Sequence, residues 1–449
     1  MSGGTALSGW GRFPVVAGRE AVPASWRAVQ GLVAGPDPVA PRGLGRAYGD
    51  SALPVAGGVA VTGTALDRIL GFDPETGVVD CEGGVSLDLL ITTFLPRGFF
   101  LPTTPGTRFV TVAGAIAADV HGKDHHRAGS FGAHVLDLTL ATPDGGLVVC
   151  GPDRDPELFH ATVGGMGLTG WILRASVRLK RVPSAFFRVR YRRAESLASA
   201  MAILGGAEDA AYTVAWIDGL AQGRHLGRAV CMLGDDAEPV DLSPAQRDRP
   251  HHRPARRTRT VPVDFPGWAL SPPTVRAFNG LYYATHGDAD RIVDWESFFY
   301  PLDAVRHWNR IYGRRGFAQF QALFPDASAE AGLAQVLERI GAAGAASFLA
   351  VLKRSGPAGP APLSFLFRGW TLALDLPNTG EPLVRLLADL EGILLRHGGR
   401  IYLAKDAVCT RDAFATMYPR LAEWRAVKAR IDPRCRLRTR QSDRIGLTP

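Results

Sequence analysis

Pro41-Arg42-Gly43-Leu44-Gly45-Arg46-Ala47-Tyr48-Gly49-Asp50 packs three glycines into seven residues and flanks them with arginines. Such a backbone can turn its N–H groups inward as an anion nest, with Arg42 and Arg46 in reach of a phosphate. No Gly-Lys-Ser/Thr follows, so it is not a Walker loop. The third glycine is misplaced for a dinucleotide fingerprint, and no long strand leads in. Taken alone, a glycine-rich surface turn explains it equally well. Its neighbours decide.

Downstream, Pro102-Thr103-Thr104-Pro105-Gly106-Thr107-Arg108 and Thr111-Val112-Ala113-Gly114-Ala115-Ile116-Ala117 pair a Pro-Gly turn with small residues. That composition lets a large planar ligand approach the backbone. His121-Gly122-Lys123-Asp124-His125-His126 then leads to Gly129-Ser130-Phe131-Gly132. The i,i+4 histidines His121 and His125 invite a zinc reading, but Gly122 interrupts the helix and no third ligand follows. No metal site is expected. Val163-Gly164-Gly165-Met166-Gly167-Leu168-Thr169-Gly170 is the fourth glycine-rich segment, and no G-x-S-x-G elbow occurs anywhere. Four such segments point to one large phosphate-bearing cofactor contacted repeatedly.

Around them the chain reads as many short strands. Val59–Val61 and Gly77–Glu82 are strands with a turn at 74–77 between them, and Val85–Leu95 is a helix capped by Ser86 and stopped by Pro96 and Gly98. Val135–Thr142 and Leu147–Cys150 form a hairpin, and Gly170–Val182 continues as a strand. The fold class is α+β, without the regular βαβ beat of a Rossmann fold. Beyond about Pro183 come helical stretches at 195–204 and 329–343. Strands rich in aromatics are expected at 212–216, 317–324, 346–352 and 370–376. Residues 237–273, rich in Pro and Arg, read as a long mobile surface loop. These changes of texture place domain boundaries near 182 and 400: 1–182, 183–400 and 401–449.

The 449 residues, 46% hydrophobic and 21% charged, exclude a disordered chain or a disulfide miniprotein. The net charge of +8 is local. Arg247–Arg259 carries +5 and Arg425–Arg444 carries +6, which leaves −3 for everything else. Five dispersed cysteines suit a reducing, cytoplasmic compartment, and no apolar run reaches a membrane span or a secretory leader.

These blocks are similar to the vanillyl-alcohol-oxidase (PCMH-type) superfamily of FAD-binding oxidoreductases, and within it to the decaprenylphosphoryl-ribose 2'-oxidases. The likeness begins at Gly9-Trp10-Gly11-Arg12 and runs through the glycine-rich segments. It continues at Tyr300-Pro301-Leu302-Asp303, Trp308-Asn309-Arg310, Pro362-Leu363-Ser364-Phe365, Tyr402-Leu403-Ala404-Lys405-Asp406 and Met417-Tyr418-Pro419-Arg420. The resemblance implies two domains, an FAD-binding α+β domain and a substrate domain with a large antiparallel sheet. It implies non-covalent FAD, its pyrophosphate wrapped by Pro41 to Ser51. Gly106, Thr111, Val112, Ala113, Gly114, Ala118, Asp119, Val120 and His121 would lie along the cofactor, Ile172 at the adenine and Tyr402 at the isoalloxazine. Lys405 and His121 would be catalytic. Tyr48, Lys123, Trp216, Tyr300, Gln319, Gln321, Lys353, Thr371 and Ala373 would line the substrate pocket.

The implied reaction oxidises the 2'-hydroxyl of a polyprenylphosphoryl pentose, the first half of an epimerisation completed by a short-chain reductase partner. The pocket strand departs from the family. The family's Gly-Trp-Asn-Val-Cys-Val-Asp is here Gly369-Trp370-Thr371-Leu372-Ala373-Leu374-Asp375, so the cysteine captured by nitroaromatic inhibitors is absent. A soluble sugar, cyclitol or nucleoside therefore stays open as substrate. Lys405 has a competing reading as the salt-bridge partner of Asp406. The two basic stretches alone would suit a nucleic-acid or membrane-binding protein, but no nucleic-acid partner is expected. Arg247–Arg259 is expected to meet a phosphate-bearing substrate or a membrane surface, with a plain solvated loop as the alternative.

Overall fold

In the computed structural model, which describes residues 5–253, 258–345 and 347–448, the first 180 residues build two sheets. One has the order Thr5–Ser8, Val15–Ala21, Val59–Thr62, Val39–Arg42, its last two strands parallel. The other is antiparallel, in the order Ile69–Asp73, Val78–Glu82, Trp171–Arg178, Val135–Ala141, Leu147–Cys150. The turn at 74–77 serves Ile69–Asp73, a strand that the sequence reading passes over. That strand lies on the sheet edge, half exposed and shifted in register at Gly71, so its alternation is weak. The helix Leu87–Phe94 starts where expected, Ser86 Oγ accepting from Leu89 N at 3.0 Å, and Gly98 ends the next turn at φ +82°. The strand expected over 170–182 stops at Arg178. Lys180–Arg181 pairs instead with Phe99–Phe100.

From Phe186 on, eight strands form one antiparallel sheet. The order is Ala289–Asp294, Phe186–Ala194, Ala229–Asp236, Tyr212–Ile217, Ala350–Ser355, Gly369–Pro377, Phe317–Pro325, Arg400–Ile401. Leu197–Gly205, Ala329–Ala342 and Glu381–Arg396 cover one face. Gly332 lies against the Phe324 ring and Gly205 against Trp370, so even-numbered residues of strands 317–325 and 369–377 face these helices. Odd-numbered residues face the other way. The strand expected at 346–352 is displaced to Ala350–Ser355, and Ala346 lies outside the described residues. Phe348 leaves the ladder to stack on Tyr312, which delays the strand.

The 237–273 stretch carries short helical turns at Pro239–Asp241, Pro244–Arg247 and Gly267–Leu270. Arg259–Thr260 pairs parallel to Val305–Arg306. Arg253 is ion-paired to Asp294 at 2.7 Å and to Glu296. Arg256 and Arg257 lie outside the described residues. The basic C-terminal stretch is not a solvated tail. Lys428 and Asp432 form a buried pair, and Arg438 meets Asp443. Leu437 docks beside Val39, where Val39 N donates to Arg436 O at 2.7 Å and Arg438 N to Val39 O at 2.9 Å. That chain reversal carries Arg444 back onto the 41–51 loop.

Candidate active site

Strand Val39–Arg42 delivers the 41–51 loop to the mouth of a cleft. Pro41, Arg42 and Gly43 line one side, Thr111, Ala113 and Gly114 the next, and Met166, Trp171 and Ile172 the far wall. Thr111 caps the short helix Val112–Ala117 through Gly114 N at 3.1 Å, and Gly43 sits so close to that hydroxyl that a Cβ would come within 2.4 Å of it. Gly63, Gly83 and Gly84 also line the cleft. A Cβ on Gly83 would meet Ile172 O at 2.2 Å. Arg42 braces the loop by donating to Ser8 O at 2.8 Å, while Arg46 stacks over Trp10 at 4.0 Å, its buried Nε without a partner among the described residues. Asp50 closes the loop against Arg444 at 2.7 Å.

Asp119, held at φ +41°, turns the chain toward His121, its carboxylate accepting from Gly132 N at 3.0 Å and Ser364 Oγ at 2.6 Å. His121 is buried. Gln321 Nε2 donates to its Nε2 at 2.8 Å, which puts the ring proton on Nδ1, a buried atom with no partner among the described residues. His125 is drawn elsewhere, accepting from Gly356 N at 3.0 Å. Register explains the rest of the pocket. Gln321 lies opposite Ala373, Ala373 opposite Val351, and Val351 opposite Trp216. Lys353 lies opposite Thr371, and Gln319 opposite Asp375. Residues directly opposite in a ladder share a face, so these side chains stand on the side turned away from the three covering helices, the side that meets His121. Lys405 reaches the same place from the turn Leu403–Lys405, its Nζ 3.7 Å above the Tyr48 ring. Tyr402 lies edge-on to His121 at 5.1 Å and donates to Ala118 O at 2.8 Å. Lys123 donates to Phe298 O, and the Tyr300 hydroxyl pairs with Thr104 Oγ1. Trp216 spends its indole N–H on Phe348 O at 3.1 Å.

Residues 21–151 match the FAD binding domain family. Over 445 residues the chain is 38% identical to decaprenylphosphoryl-beta-D-ribose oxidase of Mycolicibacterium smegmatis, covering 95% of this chain and 94% of that one. The chain belongs to the decaprenylphosphoryl-β-D-ribose oxidase family. An uncharacterized protein of Streptomyces coelicolor is 33% identical over 81% of this chain and 100% of its own length. Cytokinin dehydrogenase 6 of Oryza sativa shares 37% over only 35% of this chain and 31% of its own. Like the family, this oxidase is an FAD-dependent flavoprotein that acts on CH–OH groups.

The cleft of this family member fits FAD. It offers a glycine-lined floor, apolar walls in Met166 and Ile172, and a buried Trp171 Nε1 donor with no partner among the described residues. The electrostatics of the oxidase pocket follow from burial. Desolvation holds His121 well below its usual range, helped by Lys353, His125 and Lys405. It brings Lys353 down to about 8 against the opposing pull of Asp124, and Lys123 to about 7 with Lys353 adding repulsion. Lys405 is lowered by burial and by Lys353, with Asp375 pulling it back up. The competing reading of Lys405 as partner of Asp406 fails. Asp406 accepts instead from Arg444 at 2.8 Å, Gln441 at 3.0 Å and the N–H groups of Val408 and Cys409. Gly63, Gly83, Gly84, Trp171, Asp375 and Arg444 were missed by the sequence reading. Only Asp375 carried a usable signal, the two-residue alternation with Thr371 and Ala373.

Proposed function

We propose that this oxidase converts a secondary alcohol of a sugar to a ketone, the 2'-hydroxyl of a polyprenylphosphoryl pentose, as the first half of an epimerisation completed by a short-chain reductase. The observation carrying this reading is the convergence of Lys405, His121 and Gln321 on one sheet face beside the cleft. Bound FAD, held by the 41–51 loop, Gly106, the 111–114 and 118–121 segments, Ile172 and Tyr402, supplies the acceptor for the hydrogen and electron pair lost from the carbinol carbon. Lys405, lowered by burial, takes the hydroxyl proton. His121 offers its Nδ1–H to orient the alcohol. Lys123 and Lys353, partly protonated near neutrality, face an anionic substrate, with Tyr48, Trp216, Tyr300, Gln319, Thr371 and Ala373 shaping the pocket. Neutral His121, paired through Nε2, leaves FAD non-covalent, so acid precipitation releases all of the yellow colour.

On this reading residues 1–182 hold the cofactor, 183–400 the substrate, and 401–449 close the site. No helix among the described residues is long and apolar enough to cross a membrane. Peripheral contact from the cytoplasmic side is supported by exposed Val263, Trp268, Phe278 and Leu281. Residues 265–285 hold no acidic side chain, and Tyr282, from the helix Pro272–Thr285 that carries Phe278 and Leu281, packs 4.5 Å from Trp216. Thr371 and Ala373 favour a second reading, in which the substrate is an unphosphorylated sugar, cyclitol or nucleoside. Anaerobic titration decides between them. A prenylphosphoryl pentose should bleach the flavin at the lowest concentration, and bleaching by free sugars alone would transfer the assignment to the second reading.

A further inference from the structure

We propose that Asp375 is a positioning residue for the oxidation, its carboxylate stabilising the ammonium that forms when Lys405 takes the hydroxyl proton. The proposal rests on the reading of Lys405 as base. Asp375 is fully buried, and no lysine or arginine lies within ion-pair distance of it among the described residues. A carboxylate in that position is costly unless it is hydrogen-bonded and serves a charge nearby. It is held rigidly. Gln319, directly opposite in the ladder, donates Nε2 to Oδ1, and Tyr312 donates to Oδ2 at 3.4 Å while its ring stacks on Phe317 at 4.0 Å. The Phe317 ring in turn meets the Tyr48 ring edge-on at 5.4 Å, and Tyr48 carries Lys405 Nζ, so a chain of contacts joins carboxylate to amine.

The charged and titratable groups facing this pair are few. Lys353 comes from the adjoining strand, His121 from the turn after Asp119, and Tyr48 and Tyr312 from either side. Asp406, next to Lys405 in sequence, is committed to Arg444. When the alcohol O–H breaks, an N–H forms on Lys405 and a positive charge appears where water is scarce. An opposed carboxylate favours that charged form, as the buried aspartate of a catalytic triad favours its imidazolium. Burial raises the Asp375 carboxyl, while Gln319, Lys405 and Tyr312 pull it back toward the anion.

The test is competitive acetylation of the FAD-bound enzyme with trace acetic anhydride, following Lys405 by peptide mass spectrometry against pH. In Asp375→Asn the labelling midpoint should fall by about one pH unit, a tenfold change in the ratio of free amine to ammonium. The rising limb of kcat/KM against pH should move with it. A midpoint unmoved in a variant that retains its flavin overturns the proposal. If Asp375→Asn does not hold FAD, Tyr312→Phe is read instead. It removes one donor from the carboxylate and should shift the midpoint the same way by less, and no shift overturns the proposal equally. If Lys405→Ala keeps full activity while the labelling shift persists, the base reading fails and the pairing itself stands.

Discussion

Lys405 is a half-buried side chain whose amine lies over the Tyr48 ring, with its sequence neighbour Asp406 engaged elsewhere. Lys405→Ala should slow anaerobic reduction of the flavin by substrate about 10²–10⁴-fold, the usual worth of a positioned base, while the visible absorption of bound FAD stays unchanged. A variant that keeps the wild-type rate would remove Lys405 from the chemistry. At position 373 the methyl side chain sits opposite Gln321 in the ladder and offers no thiol. Nitroaromatic inhibitors should therefore leave the protein mass unaltered, and Ala373→Cys should restore a stoichiometric adduct detectable by intact-mass measurement. Residues of this kind were legible because their motifs carry them. Arg444 was not, because its meaning comes from two carboxylates about 40 and 400 residues away.

Elements explain which expectations failed. The Ser86 cap, the hairpin at 135–150 and the strands Phe317–Pro325 and Gly369–Pro377 have strong local signals, and the fold places them within a residue or two. The sequence reading passes over the sixteen-residue helix Glu381–Arg396, although Leu383, Leu386, Leu387, Leu390 and Leu394 recur at helical spacing. The last strand-to-helix stretch was unreadable because its partners are the earliest strands of the chain. Arg444 is the pivot there. Arg444→Ala leaves the buried carboxylates of Asp50 and Asp406 without their shared cation, and should cost roughly 3 kcal/mol. Calorimetry should show the lower melting temperature, and the purified protein should carry less FAD because Asp50 anchors the 41–51 loop. Full flavin content at unchanged stability would show that the loop holds itself.

At the scale of the whole molecule, three lysines gathered in one pocket set the pH response. Lys123 and Lys353 titrate in the folded protein near 7 and 8, below the unfolded value of about 10.4, so between those limits the unfolded chain binds more protons. Their contribution to stability therefore grows as pH rises from about 7 to 10.5, opposite to an ordinary salt-bridged lysine. Lys353→Met should raise the melting temperature at pH 7, and that advantage should fade by pH 10. An advantage equal at both pH values would mean that the lysine is not desolvated. The family is legible in the order of blocks from Gly9 to Arg420, and the two-domain fold is what that resemblance implies. The pocket was not, since a shared sheet face exists only once the strands are aligned. The docking of Leu437 beside Val39, and of Arg444 on Asp50 across 394 residues, also bears on biosynthesis. At about 5–20 residues per second, the ribosome leaves the 41–51 loop waiting roughly 20–80 s for its clasp. On the reading that Arg444 anchors this loop, flavin capture waits until nearly the whole chain has emerged, and a nascent polypeptide stalled before Arg444 should stay colourless.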